Sequence, residues 1–175
     1  MKLRALVFAL LAAMPLAGCG LQPMYAGGGS GAVAQGLAGI EVPAIEGKAG
    51  WLLRNALNDR LNAAGPAGAG PRYRLDVRLD DRLEGLGLLS DDTIGRERRT
   101  LRARYQLVEL GTDRIVIDAT AGADAGIDVV SSEYATIAAE QTALENLSKE
   151  VADRILASLA LQLRKDASGA GAARP

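Results

Sequence analysis

The chain has 175 residues, with 20 lysines and arginines against 21 aspartates and glutamates, no histidine, one cysteine and 21 glycines. That balance argues against a nucleic-acid binder, and the missing histidine removes Ser-His and Cys-His nucleophile pairs. The apolar share of 49% suffices for one core, built from Ala, Leu, Val and Ile with a single Trp.

Lys2 and Arg4 open the chain, and the uncharged run Ala5 to Ala13 (ALVFALLAA) follows. A run of about nine residues suits a secretory signal and falls far short of the roughly 20 that span a bilayer. It ends in "LAGCG", where Ala17 and Gly18 suit a signal peptidase and Cys19 supplies the soft sulfur nucleophile that a bacterial lipobox needs. Residues 1–18 therefore read as a lipoprotein signal peptide, and Cys19 as the lipidation site. More than one acyl chain at Cys19 would hold the protein stably on a membrane. Gly20, where Asp would favour retention in the inner membrane, fits sorting to the outer membrane. Of the 20 basic residues, loss of Lys2 and Arg4 would leave 18 against 21 acidic ones, a charge near −3.

Residues 19–36 include the Gly-rich "AGGGSGAVAQG" and read as a lipidated N-terminus and flexible tether, with a reach of roughly 18 Å. A domain of residues 37–165 follows. "LAGIEVPAI", Leu37 to Ile45, is short, β-branched and bounded by Gly and Pro, which predicts a strand. In "GWLLRNALNDRLNAAG", Leu53, Leu57 and Leu61 recur every four residues until Gly65-Pro66, which predicts an amphipathic helix. "PRYRLDVRLDDRL" puts Tyr73, Leu75, Val77 and Leu79 on one face and Arg72, Arg74, Asp76, Arg78 and Asp80 on the other, as in a half-buried strand. "RERRTLRARYQLVEL" and "RIVIDATAGA" predict two antiparallel strands around Gly111-Thr112-Asp113, with the glycine available for positive φ. From Ser132 to Arg164, apolar residues at Tyr134, Ile137, Leu144, Leu147, Val151, Ile155 and Leu159 predict one helix roughly 50 Å long. Ser131 or Ser132 would cap it, with Glu133 at the positive end of the dipole. Residues 166–175 (DASGAGAARP) read as a disordered tail.

The order β-α-β-β-β-α predicts an α+β two-layer sandwich: a four-stranded sheet, mainly antiparallel or, with one parallel strand from the first β-α-β unit, mixed, covered on one face by two helices. Arg96, Arg98, Arg102 and Arg104 share one strand parity, broken only by Thr100, while Leu101, Ala103, Tyr105 and Leu107 take the other. Such a guanidinium ladder, at roughly 6.8 Å intervals, suits phosphate oxygens. The competing reading is a solvated face whose arginines pair with Asp76 and Asp80 on the preceding strand. The stretch "EGLGLLSDDTIG", Glu84 to Gly95, reads as a loop whose Leu86, Leu88 and Leu89 are candidates for contact with a partner. Asp80-Asp81 and Asp91-Asp92 read as solvated pairs, so no metal site, catalytic residue or bound cofactor is expected beyond the lipid on Cys19.

"LAGCGLQPMY", followed by this element order and by "SSEYATIAAEQTALENLSKEVADRILASLALQL", resembles the lipopolysaccharide-assembly lipoprotein family LptE. The resemblance is carried by Cys19, Gly20, Leu21, Pro23 and Tyr25, by "LRARYQLVEL", and by Ser132, Tyr134, Ala135, Ala139 and Ala143. It implies a non-enzymatic outer-membrane lipoprotein, facing the periplasm or standing inside a barrel lumen. Its partners would be the outer-membrane β-barrel LptD, whose assembly it assists and whose lumen it plugs, and lipopolysaccharide, which it helps deliver to the outer leaflet. An auxiliary lipoprotein of an ABC-type lipid transport system is the alternative of similar build. Cys19→Ala should abolish incorporation of labelled palmitate into the chain; undiminished labelling would overturn the lipobox assignment.

Overall fold

A computed structural model of the protein describes residues 31–65, 70–88 and 94–172, so Cys19, the signal segment and Leu89 lie outside the described residues. Among the described residues, three helices and four strands follow one another as α1 (Ala32–Ala38), β1 (Ile40–Glu41), α2 (Gly47–Ala63), β2 (Tyr73–Leu88), β3 (Ile94–Glu109), β4 (Arg114–Asp128) and α3 (Glu133–Ala172). The sheet order is β1-β2-β3-β4; β1 runs parallel to β2 and the other pairs are antiparallel, so the sheet is mixed as its first β-α-β unit allows. Each long strand carries about 15 residues and extends roughly 50 Å at 3.3 Å per residue.

Alternation decides which face is covered. Leu75, Leu101, Ala103, Tyr105 and Leu107 are buried on one face of the sheet, together with Ala123 and Ile127 of β4. Against them lie Leu53, Leu57 and Leu61 of α2 and Leu144, Leu147, Val151, Ile155 and Leu159 of α3, all buried. Each such leucine removed from water contributes about 2 kcal/mol. Arg60 of α2 bonds both Asp153 and the Lys149 carbonyl of α3, fixing the two helices side by side. At the far end of the covered face, Arg99 bonds Asp81 of β2 at 2.7 Å and the Glu140 carbonyl of α3 at 3.3 Å, tying helix to sheet where leucines give way to charge.

Several local expectations are revised. The predicted first strand shrinks to two residues because Val33 and Leu37 sit one helical turn apart and Leu37 is buried in α1. Residues 32–36 of the expected tether are thus helical, and a Cβ on Gly36 would lie 3.0 Å from Leu163, so this glycine lets α1 seat on the end of α3. In the β3-β4 turn the positive φ, 53°, falls on Asp113 and not on Gly111; aspartate tolerates that region. Ser132 is the cap, its Oγ accepting from the Ala135 amide at 3.4 Å. Tyr134 and Ile137, expected on the buried stripe, are exposed, because α3 reaches its first turns before the core begins. The helix also continues through residues 166–172 of the expected disordered tail, where alanines sustain it and no proline intervenes before Pro175.

Leu57→Ala should lower stability by about 3 kcal/mol, whereas Leu161→Ala, on the exposed side of α3, should change it by less than about 0.5 kcal/mol, as read by denaturant unfolding.

Candidate functional site

The helices cover one face of the sheet, and the opposite face carries the even-numbered residues of β2, β3 and β4. Arg96, Arg98, Arg102 and Arg104 stand there on β3, all exposed, in one row along the middle strand. The structure therefore assembles the arginine ladder that strand parity predicts. The rungs differ in their neighbours: Arg102 lies between Asp80 and Gly122, Arg98 between Glu84 and Gly126, Thr100 faces Asp124 on β4, and Arg104 stands between Arg78 and Thr120, with a like charge on one side.

The pairing differs from the solvated-face expectation. Asp76 and Asp80 are taken by arginines of their own strand, Arg74 at 2.9 Å and Arg82 at 3.0 Å. Two ladder arginines turn instead to the following strand, Arg104 to Asp118 at 2.9 Å and Arg96 to Asp128 at 3.5 Å. Hydrogen bonds from Arg104, and next from Gln106, hold the Asp118 carboxyl below the usual carboxylate range. Among the described residues, no carboxylate is within ion-pair distance of Arg98 or Arg102. The ladder thus alternates between neutralised ends and two free guanidiniums roughly 13 Å apart, four residues along the strand.

Gly122 and Gly126 shape the space beside them. A Cβ at Gly122 would lie 3.1 Å from the Arg102 side chain, and one at Gly126 would lie 3.5 Å from the Arg96 guanidinium. Both arginines therefore lean over β4 where it lacks side chains. Arg102, Thr100 and Thr120 line a shallow depression of about 250 Å³ that also touches Asp124. A free guanidinium beside two hydroxyls can bind an oxyanion through charge-assisted hydrogen bonds. These glycines and threonines carry no signal in composition; their four-residue and two-residue spacings on one strand face are the only trace.

The leucine candidates are placed differently. Leu86 lies in β2 opposite Arg96, half-buried, and Leu88 is paired with Ile94 at the strand end, so neither is in a loop. The strands pair further than expected because Gly85 and Gly87 do not interrupt the ladder. Leu89 lies outside the described residues. No group of three or more metal-ligating side chains occurs among the described residues, and no described helix is long and apolar enough to cross a membrane.

A mixed four-stranded sheet, backed by helices on one face and, among the described residues, bare and charged on the other, defines a two-layer α+β domain. The family model LptE, lipopolysaccharide-assembly, matches residues 37–159, and the chain belongs to that family. A lipoprotein candidate from Caulobacter crescentus CB15 is similar in structure with a TM-score of 0.64 at 28% identity, over 78% of this chain and 98% of its own. The minor lipoprotein of Acinetobacter baumannii shares the fold with a TM-score of 0.54 at 16% identity, over 70% of this chain and 88% of its own. No curated protein matches the sequence.

Arg104→Ala should raise the pH at which Asp118 titrates, as followed by carboxyl-carbon NMR. A carboxylate depressed in the folded state stabilises the fold above its unfolded pKa and loses that contribution as pH falls through the folded value. The variant should therefore lose stability chiefly at neutral pH and converge with the parent in acid.

Proposed function

We propose that this chain is an outer-membrane lipoprotein, anchored through Cys19, that occupies the lumen of the β-barrel LptD, assists its assembly and helps pass lipopolysaccharide to the outer leaflet. Membership of the lipopolysaccharide-assembly family supports the process. The observation that carries the reading further is the uncovered sheet face, where the ladder arginines Arg98 and Arg102 have no ion-pair partner among the described residues.

A barrel lumen is polar, so a plug needs a polar surface wherever it does not pack on itself. The bare face meets that requirement: β2 carries Arg74, Asp76, Arg78, Asp80, Arg82 and Glu84 there, β3 adds its four arginines, and β4 answers with Asp118, Asp124 and Asp128, which leaves the face charged in detail and close to neutral in sum. Phosphate groups of lipid A are matched by the free guanidiniums, which can grip two oxygens at once. Arg96 and Arg104, already held by Asp128 and Asp118, would then act by keeping those carboxylates from the lipid phosphates. The chain's contribution is binding and placement, with no bond made or broken.

Arg98→Glu with Arg102→Glu should weaken binding to purified lipopolysaccharide by tenfold or more, while Arg114→Glu, at the start of β4 and paired with Glu109, should leave it within twofold. Equal affinities for the parent and the double variant would remove the phosphate role.

A further inference from the structure

Among the described residues the sheet has two free edges, and they differ in how they are defended. Beyond Arg74, β2 has no neighbour on its outer side among the described residues, but its outer-face positions Asp76, Arg78, Asp80, Arg82 and Glu84 alternate in sign, and Pro43 ends β1 beside it. Charges and proline are the usual guards of an edge. The other edge, β4, reads "DATAGADAGID" from Asp118 to Asp128, with no lysine, arginine or proline in that span.

The register tells which backbone groups β4 presents. Val129 donates its amide to Gly95 at 3.1 Å, and Arg96 faces Asp128. In an antiparallel ladder bonded pairs alternate with non-bonded ones, so odd residues of β4 up to Ile127 bond to β3 and even ones turn outward. Thr120, Gly122, Asp124, Gly126 and Asp128 therefore present N–H and C=O groups to the free edge. Arg154 of α3 donates to the Gly122 carbonyl, which agrees with this parity and closes the edge at that point. From Asp124 to Asp128 the edge opens on a groove of about 520 Å³ between β4 and α3, floored by Ala125, Ala139 and Ala143.

We propose that the β4 edge from Asp124 to Asp128 receives an extended, cationic segment of a partner protein as an added strand. Addition to a sheet edge gains affinity from backbone hydrogen bonds and specificity from alternate side chains. On the outer face the incoming strand meets Asp124 and Asp128; Arg96 already pairs with Asp128, whereas Asp124 has no ion-pair partner among the described residues, so a lysine or arginine fits beside Asp124. On the inner side it meets Ala139 and Ala143 of α3, with Thr142, Asn146 and Glu150 beside them, so small or β-branched residues fit there. A second copy of this chain is disfavoured: antiparallel pairing centred on Gly126 would set Asp124 against Asp128 of the other copy. The proposal stands on the edge and its groove and does not depend on the arginine ladder or on lipopolysaccharide.

The test uses the full chain in a neutral detergent and two dye-labelled six-residue peptides, one alternating lysine with valine and one alternating glutamate with valine, read by fluorescence anisotropy. The lysine peptide should bind at least tenfold more tightly than the glutamate peptide, and Asp124→Lys should invert that order. Gly126→Pro removes one outward amide without changing charge and should abolish binding; methylating alternate backbone nitrogens of the lysine peptide should do the same should that variant not fold. Binding too weak to measure, equal binding of the two peptides, undiminished binding after methylation, or a dimer of the chain by sedimentation that Gly126→Pro dissociates would each overturn the proposal.

Discussion

Everything in this molecule depends on α3 lying along one face of a sheet whose strands run roughly 50 Å. Its apolar side, from Leu144 to Leu163, is buried against Leu75, Leu101, Tyr105 and Leu107, and α2 fills the space beside it. A sheet residue has only two faces to choose from, so burying the odd residues of β3 commits Arg96, Arg98, Arg102 and Arg104 to solvent. Asymmetry of the layers is thus the source of the bare face.

Exposure then sets the value of the charges there. Pairs such as Arg96 with Asp128 are open to water and contribute little to stability. Arg99 and Asp81 are more enclosed and also hold the first turns of α3 through the Glu140 carbonyl, so that pair helps fix the helix. On the outer face the chief effect of pairing is selection: Asp118 and Asp128 occupy two arginines and leave Arg98 and Arg102 free. Gly122 and Gly126 add room over β4, and between Asp124 and Asp128 its edge carries charge of one sign only and no proline.

Much of this was legible in the sequence. Period two in "YRLDVRLDDRL" and "LRARYQLVEL" gave the strands, their faces and the ladder, and leucines four apart gave α2. The fold class followed from their order. Less legible was α1, whose seven residues fall in a Gly-rich run and are held by contact with Leu163, a residue more than a hundred positions away. The ion-pair partners were also hidden, because Asp80 faces Arg102 in register yet bonds Arg82 of its own strand, a choice of rotamer that spacing does not encode. The stretch from Glu84 to Gly95 reads as a loop, whereas cross-strand pairing carries β2 on to Leu88 and starts β3 at Ile94.

The family places the chain in lipopolysaccharide assembly, and the role proposed for it there, fitting and holding partners, rests on the bare face. The most direct measurement is the amount of lipopolysaccharide at the cell surface after depletion of this protein, read by surface labelling of intact cells. The account predicts that surface lipopolysaccharide falls while newly made molecules accumulate inside; unchanged delivery in depleted cells would contradict it.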